Sequence, residues 1–223
     1  MPNLNEWKWA VGLAVVSLIL ARLPILRWLV YPFDLLNTFV HELSHGVATV
    51  LTGGSFHRFE IYANTEGVAL TRGGVRWIVA SAGYLGSAVV GGLLLWLSAR
   101  NVTAQKVLLV FGIILTITSV LFVRNFFGIM AALVLCGGLI AAALKLEPRW
   151  NTLLLLFIAV QITLNALDSL WDLLRLSSFR RHVVSDAQIM QQATGVPAII
   201  WAIIWSGLSL LILWQAIRLA YVE

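Results

Sequence analysis

The chain has 223 residues, of which 60% are hydrophobic and only 11% charged, and its mean hydropathy is +0.91. Soluble domains carry about a quarter charged residues, so a water-soluble globular protein is excluded. The expected architecture is an all-α polytopic membrane protein: about seven (six to seven) transmembrane helices with one short β-hairpin, in a single membrane-embedded domain spanning residues 1–223. The net charge of +5 comes from basic residues scattered at the ends of apolar segments, with no basic stripe interleaved with aromatics. That pattern fits topology-setting residues beside a lipid bilayer, not a nucleic-acid partner.

In chain order, the first apolar segment runs from Trp9 to about Val30, with Pro24 expected to kink it. Its long apolar run and the Arg22-Leu23-Pro24 that follows do not read as a cleavable signal. The second segment, Leu35 to Leu51, follows Pro32, with Asp34 as the expected N-cap. Residues 53–76 break the helical pattern. Gly53-Gly54, the alternation through Ile61, the turn-like Asn64-Thr65-Glu66-Gly67 and Gly73-Gly74 predict a β-hairpin at the membrane interface or dipping into a protein-lined cavity.

The third segment, about Trp77 to Ser98, is rich in Gly, Ala and Ser, and Gly83 and Gly92 flank places where another backbone can approach. The fourth and fifth, Val107–Val123 and Phe126–Leu144, are uniformly apolar and joined tightly at Arg124-Asn125. Cys136, in the fifth, is the only cysteine, which excludes an intrachain disulfide and a two-cysteine zinc site. The sixth runs from about Thr152 to Leu176. A polar linker, 177–196, precedes the last apolar segment, from Pro197 to about Leu219.

The second segment contains His41-Glu42-Leu43-Ser44-His45, an H-E-x-x-H motif. On a helix its two imidazoles leave one face a turn apart, a spacing suited to two ligands of one zinc ion with Glu42 as general base. With four His in 223 residues, shuffling the sequence would produce the motif only about 0.002 times. Apolar helices also disfavour such groups without a functional reason.

Two histidines need a third protein ligand. On the sixth segment Gln161, Asn165, Asp168, Asp172 and Arg175 recur at spacings of 4, 3, 4 and 3, forming one polar stripe on an otherwise apolar helix. Charged aspartates facing lipid would be costly, so the stripe must face protein, water or a metal, and Asp168 or Asp172 can complete a His-His-Asp site. Asn165 is a candidate substrate contact or a helix–helix hydrogen bond. Phe59 and Ile61 mark a strand that can either hold an unwound substrate by edge addition or cap the site. His57 and His182 read as polar residues outside the metal set.

The chain resembles the site-2-protease class of intramembrane zinc metallopeptidases, in its compact bacterial M50B-like branch. The resemblance rests on Phe39-Val40-His41-Glu42-Leu43-Ser44-His45-Gly46, Leu51-Thr52-Gly53-Gly54, Ala82-Gly83-Tyr84-Leu85-Gly86, Arg124-Asn125, and Ser185-Asp186-Ala187 followed by Thr194-Gly195-Val196-Pro197. It implies a Zn2+ cofactor on His41 and His45, Glu42 as catalytic base, and an aspartate from a later helix as third ligand. Trp171-Asp172-Leu173 matches the compact branch best, so Asp172 comes first. Asp168 in Leu167-Asp168-Ser169 is second, and Asp186 is third if the linker folds back.

The implied activity is hydrolysis of membrane-protein or peptide substrates in the bacterial plasma membrane. Two other readings stay open. One is a non-proteolytic, metal-binding membrane scaffold or regulator. The other is an ion or proton transporter using Asp168 and Asp172, against which the lack of repeated halves counts.

Overall fold

Inside a bilayer the backbone must satisfy its own hydrogen bonds, which favours helices wherever the chain is apolar. The computed structural model describes residues 7–23, 26–100, 102–167 and 185–221. These form α1 (Trp7–Arg22), α2 (Arg27–Leu51), β1 (Ser55–Ile61), β2 (Gly67–Arg72), α3 (Arg76–Ala99), α4 (Ala104–Phe122), α5 (Phe126–Lys145), α6 (Pro148–Leu167), α7 (Asp186–Thr194) and α8 (Ala198–Tyr221). Among the described residues, α3, α4, α5 and α8 are long and apolar enough to cross a membrane. The helical architecture with one hairpin is as expected, and the count of about seven spans is supported for these four.

Three expected boundaries are corrected. The first apolar segment is not one kinked helix: α1 ends at Arg22, and Arg27–Val30 belong to the motif helix. The expected kink at Pro24 lies outside the described residues. Asp34 does not cap α2, which begins at Arg27 and passes through Pro32. Asp34 lies inside the helix and accepts a 3.3 Å hydrogen bond from Asn165 Nδ2 on α6. The polar linker also holds a helix, α7, started by a capping box in which Ser185 Oγ accepts from Gln188 N–H and Gln188 Oε1 accepts from Ser185 N–H. This S-x-x-Q pattern is a known start signal.

Helix α3 is the hub, packing against α2, α6 and α8. Its small residues make this possible, because interhelical packing in membranes depends on close backbone approach. A Cβ at Gly91 would lie 3.0 Å from Thr163 N and 3.3 Å from Ala159 O of α6, and one at Gly92 would lie 3.2 Å from Ala216 Cβ of α8. Of the polar stripe, the two residues within the described chain face neighbouring helices: buried Gln161 meets Ser17 of α1, and Asn165 meets Asp34 of α2.

The hairpin pairs antiparallel, with Phe59 opposite Ala69 and Ile61 opposite Gly67. Its register shifts between Phe56 and Arg58. Phe59 and Ile61 are fully buried. Phe59 packs edge-on against Phe39 of α2 at 5.8 Å between ring centroids, and Phe56 stacks on Phe122 of α4 at 4.4 Å. The Phe56 ring also lies directly over Gly46, seating the hairpin on the turn of α2 after the H-E-x-x-H motif.

Overpacking this contact with Gly46→Leu is expected to cost on the order of 1–3 kcal/mol and to lower the thermal unfolding midpoint in detergent. Phe56→Ala in the same chain should recover part of the loss, because it clears the volume the leucine needs.

Candidate metal centre

His41 and His45 project from one face of α2, their ring centroids 4.8 Å apart. Their Nε2 atoms lie 3.1 and 3.2 Å from the same oxygen, Oδ2 of Asp186. The three ligand atoms all fall within 4.8 Å of one another. A tetrahedral zinc site with metal–ligand bonds of about 2.0–2.2 Å would separate its donors by about 3.3 Å. The donor set and its spacing therefore fit such an ion, and these three residues could hold it.

Each ligand is oriented by its own contacts, two of them from α3. Nδ1 of His45 lies 2.7 Å from the carbonyl of Val79 on α3. A carbonyl only accepts, so Nδ1 carries the proton and Nε2 keeps its lone pair for a metal. His41 meets the edge of Tyr84 at 4.8 Å, and Tyr84 stacks on Trp205 of α8 at 5.4 Å. Trp205 is fully buried and donates its indole N–H to Ser81 Oγ at 3.1 Å. Room for the imidazoles comes from Gly83, where a Cβ would stand only 2.6 Å from His45 Nε2.

Asp186 is the first residue of α7, where the helix dipole favours an anion. The helix is docked through Ala187 and Met190, which pack with Ala80 of α3 and Trp205. It ends at Gly195, whose φ of 76° is left-handed, and Gln191 Oε1 then accepts from Ala198 N–H at 2.9 Å to start α8. A nine-residue helix is in this way fixed against two longer ones, and it delivers one carboxylate to the histidines.

Glu42 is buried, stands outside that trio and has its carboxylate against the hairpin. The backbone N–H of Ala69 faces its carboxylate. A Cβ at Gly67 would lie 2.6 Å from Glu42 Oε1, so only glycine lets β2 pass so close. Thr38, one turn earlier on α2, donates to Thr65 O at 2.7 Å and ties down the hairpin turn.

The ladder decides which edge of the hairpin is open. Phe59 O accepts from Arg124 N–H, and Ile61 gives its N–H and C=O to Asn125. These residues therefore turn their backbone groups outward from β2. In an antiparallel pair directly opposed residues share one orientation, so Gly67 and Ala69 present theirs to the far edge, beside Glu42.

Of the residues singled out in the sequence, His41, His45 and Asp186 come together, and Glu42 lies outside that set against the hairpin. Asp168 and Asp172 lie outside the described residues, as does His182. Asn165 bonds to Asp34, and the side chains of Phe59 and Ile61 are in the core. His57 sits on the hairpin with Ser55 Oγ 3.2 Å from its Nε2. Sequence reading missed the parts played by Gly67, Ala69, Tyr84 and Trp205. Only the capping signature at Ser185 was legible in advance as a sign that Asp186 opens a helix.

No curated protein and no solved structure matches the chain. The match to the Peptidase M50B-like family runs over residues 5–216, and it includes every residue of the metal centre, Glu42 and the hairpin. With nearly its whole length matched, the chain belongs to the Peptidase M50B-like family.

Proposed function

We propose that the protein is a zinc endopeptidase that cuts membrane-protein segments within the bilayer, in the plasma membrane of a bacterium. One observation carries the reading: two H-E-x-x-H imidazoles and a carboxylate converge on one point, while the intervening Glu42 stays out of that set and lies against β2. His41 and His45 would hold the ion through Nε2 and Asp186 through its carboxylate. Zinc bound there supplies the Lewis acidity that activates water and polarises a peptide carbonyl.

The chain's own residues do the rest. Glu42 accepts the proton of the attacking water and passes it to the amine as the peptide C–N bond breaks, leaving a carboxylic acid and an amine. Hydrolysis needs an extended substrate, and a transmembrane helix has its backbone tied up internally. The outward groups of Gly67 and Ala69 support binding of an unwound segment alongside β2, which would bring its backbone past Glu42. Tyr84, backed by Trp205, keeps the His41 ring in place.

Three outcomes test this reading on purified protein. Glu42→Gln should retain one zinc per chain while cleavage of a membrane-segment substrate falls at least about 100-fold; equal cleavage by wild type and variant would remove Glu42 from the mechanism.

Asp186→Asn should weaken zinc binding by more than about 100-fold, since losing a ligand costs more than losing its outer support, whereas Asp172→Asn and Asp168→Asn should leave affinity nearly unchanged. Titration against a competing chelator decides, and the reverse pattern would transfer the third ligand to Asp168 or Asp172.

Trp205→Ala should reduce zinc affinity about tenfold through loss of outer support in the same titration, because it loosens both Tyr84 and α7.

A further inference from the structure

We propose that the α4–α5 connection is a clamp that positions the substrate-receiving strand, with Asn125 as its positioning residue. This rests on the peptidase reading above and deepens it. The guanidinium of Arg124 donates to the carbonyls of Val120 at 3.1 Å and Val123 at 2.8 Å, and also to that of Leu121. It thereby ends α4. Val123 and Asn125 are extended, with φ/ψ of −73°/130° and −111°/151°. The connection then runs beside β1 as a short parallel strand: Phe59 and Val123 form a bridge, and Arg124 N–H donates to Phe59 O at 3.3 Å.

Asn125 completes the pairing with its side chain. Ile61 N–H donates to Oδ1 at 3.1 Å, and Nδ2 donates to Ile61 O at 2.6 Å. The carboxamide thus supplies the donor and acceptor that a neighbouring strand would. Asn125 is also the N-cap of α5, a position where asparagine ordinarily bonds to its own helix, yet here it makes no capping bond. Its hydrogen-bonding capacity is directed to the hairpin instead. Gly128 keeps the space open, since a Cβ there would run into Asn125 and stand 2.8 Å from Val123 Cγ1.

The consequence is directional. An isolated two-stranded hairpin is only marginally stable, and a mobile one could not hold an incoming strand at a fixed distance from Glu42. Clamping β1 closes one edge and leaves β2 as the edge for substrate. Neighbouring strands lie about 4.8 Å apart, so fixing Ile61 also fixes Gly67 and Ala69 relative to Glu42.

The test uses full-length, zinc-loaded protein in lipid nanodiscs, with three readouts: exchange of the Ile61 amide, KM and kcat on a membrane-segment substrate, and bound zinc. For Asn125→Ala we expect Ile61 exchange to accelerate about tenfold and KM to rise about five- to tenfold. The same variant should keep kcat within about twofold and bound zinc unchanged, because neither Glu42 nor the metal residues lose a partner.

Asn125→Asp keeps the acceptor for Ile61 N–H but loses the donor, so it should shift KM the same way by a smaller factor. It carries the test alone if the alanine variant does not fold. A merely structural role would lower kcat and bound zinc together at constant KM, and that result overturns the proposal. So does an unchanged KM when wild type cleaves normally, whether or not Ile61 exchange accelerates. If wild type cleaves no membrane segment although Ile61 exchange responds to Asn125→Ala, the peptidase reading fails and takes this proposal with it.

Discussion

The fold is organised around three polar groups that are largely withdrawn from water. Two imidazoles and a carboxylate lie among apolar helices, where an unpaired ionised group would cost several kcal/mol even on mild insertion scales. They meet at 3.1 and 3.2 Å, each compensating the other. Everything needed for that meeting is built nearby. Gly83 keeps α3 out of the way, Val79 holds the His45 tautomer, and Trp205 and Ala80 dock the short helix that bears Asp186. Removing the Asp186 carboxylate alone would leave two imidazoles without the group they share.

A second polar set has a different purpose and is kept apart from the first. Glu42 belongs to the same helix turn as His41, yet its carboxylate lies against the hairpin at Gly67 and Ala69. Separating a base from the metal-ligating groups is what the proposed hydrolysis requires, because a carboxylate used as a ligand cannot shuttle protons. The hairpin serves two functions here. Its apolar side anchors to α2 and α4 through Phe56 and Phe59, and its open edge runs past Glu42.

Local patterns were legible where local physics decides them. The H-E-x-x-H spacing puts two imidazoles on one helix face whatever surrounds it, the alternation and paired glycines of residues 53–76 give a hairpin, and the small residues of α3 signal close packing. The α6 stripe was legible as an inward-facing surface, and Gln161 and Asn165 do face protein. Their partners, Ser17 and Asp34, were not, because pairing across more than a hundred residues leaves no periodic trace. Asp34 shows the same limit. Its place after Pro32 reads as a cap, but α2 starts at Arg27 and continues through Pro32.

What the sequence determined by itself is a membrane-embedded helical chain carrying two histidines and a glutamate in metallopeptidase spacing. Apolar content and a four-residue interval are properties of the chain alone. Only the tertiary structure brought Asp186 to those histidines, because α7 reaches them by docking on α3 and α8 through Ala80 and Trp205. It alone decided which hairpin edge stays open as well, since Asn125 closes one side of β1 from a different pair of helices. Both outcomes depend on contacts between segments far apart in the chain, which local residue patterns do not encode.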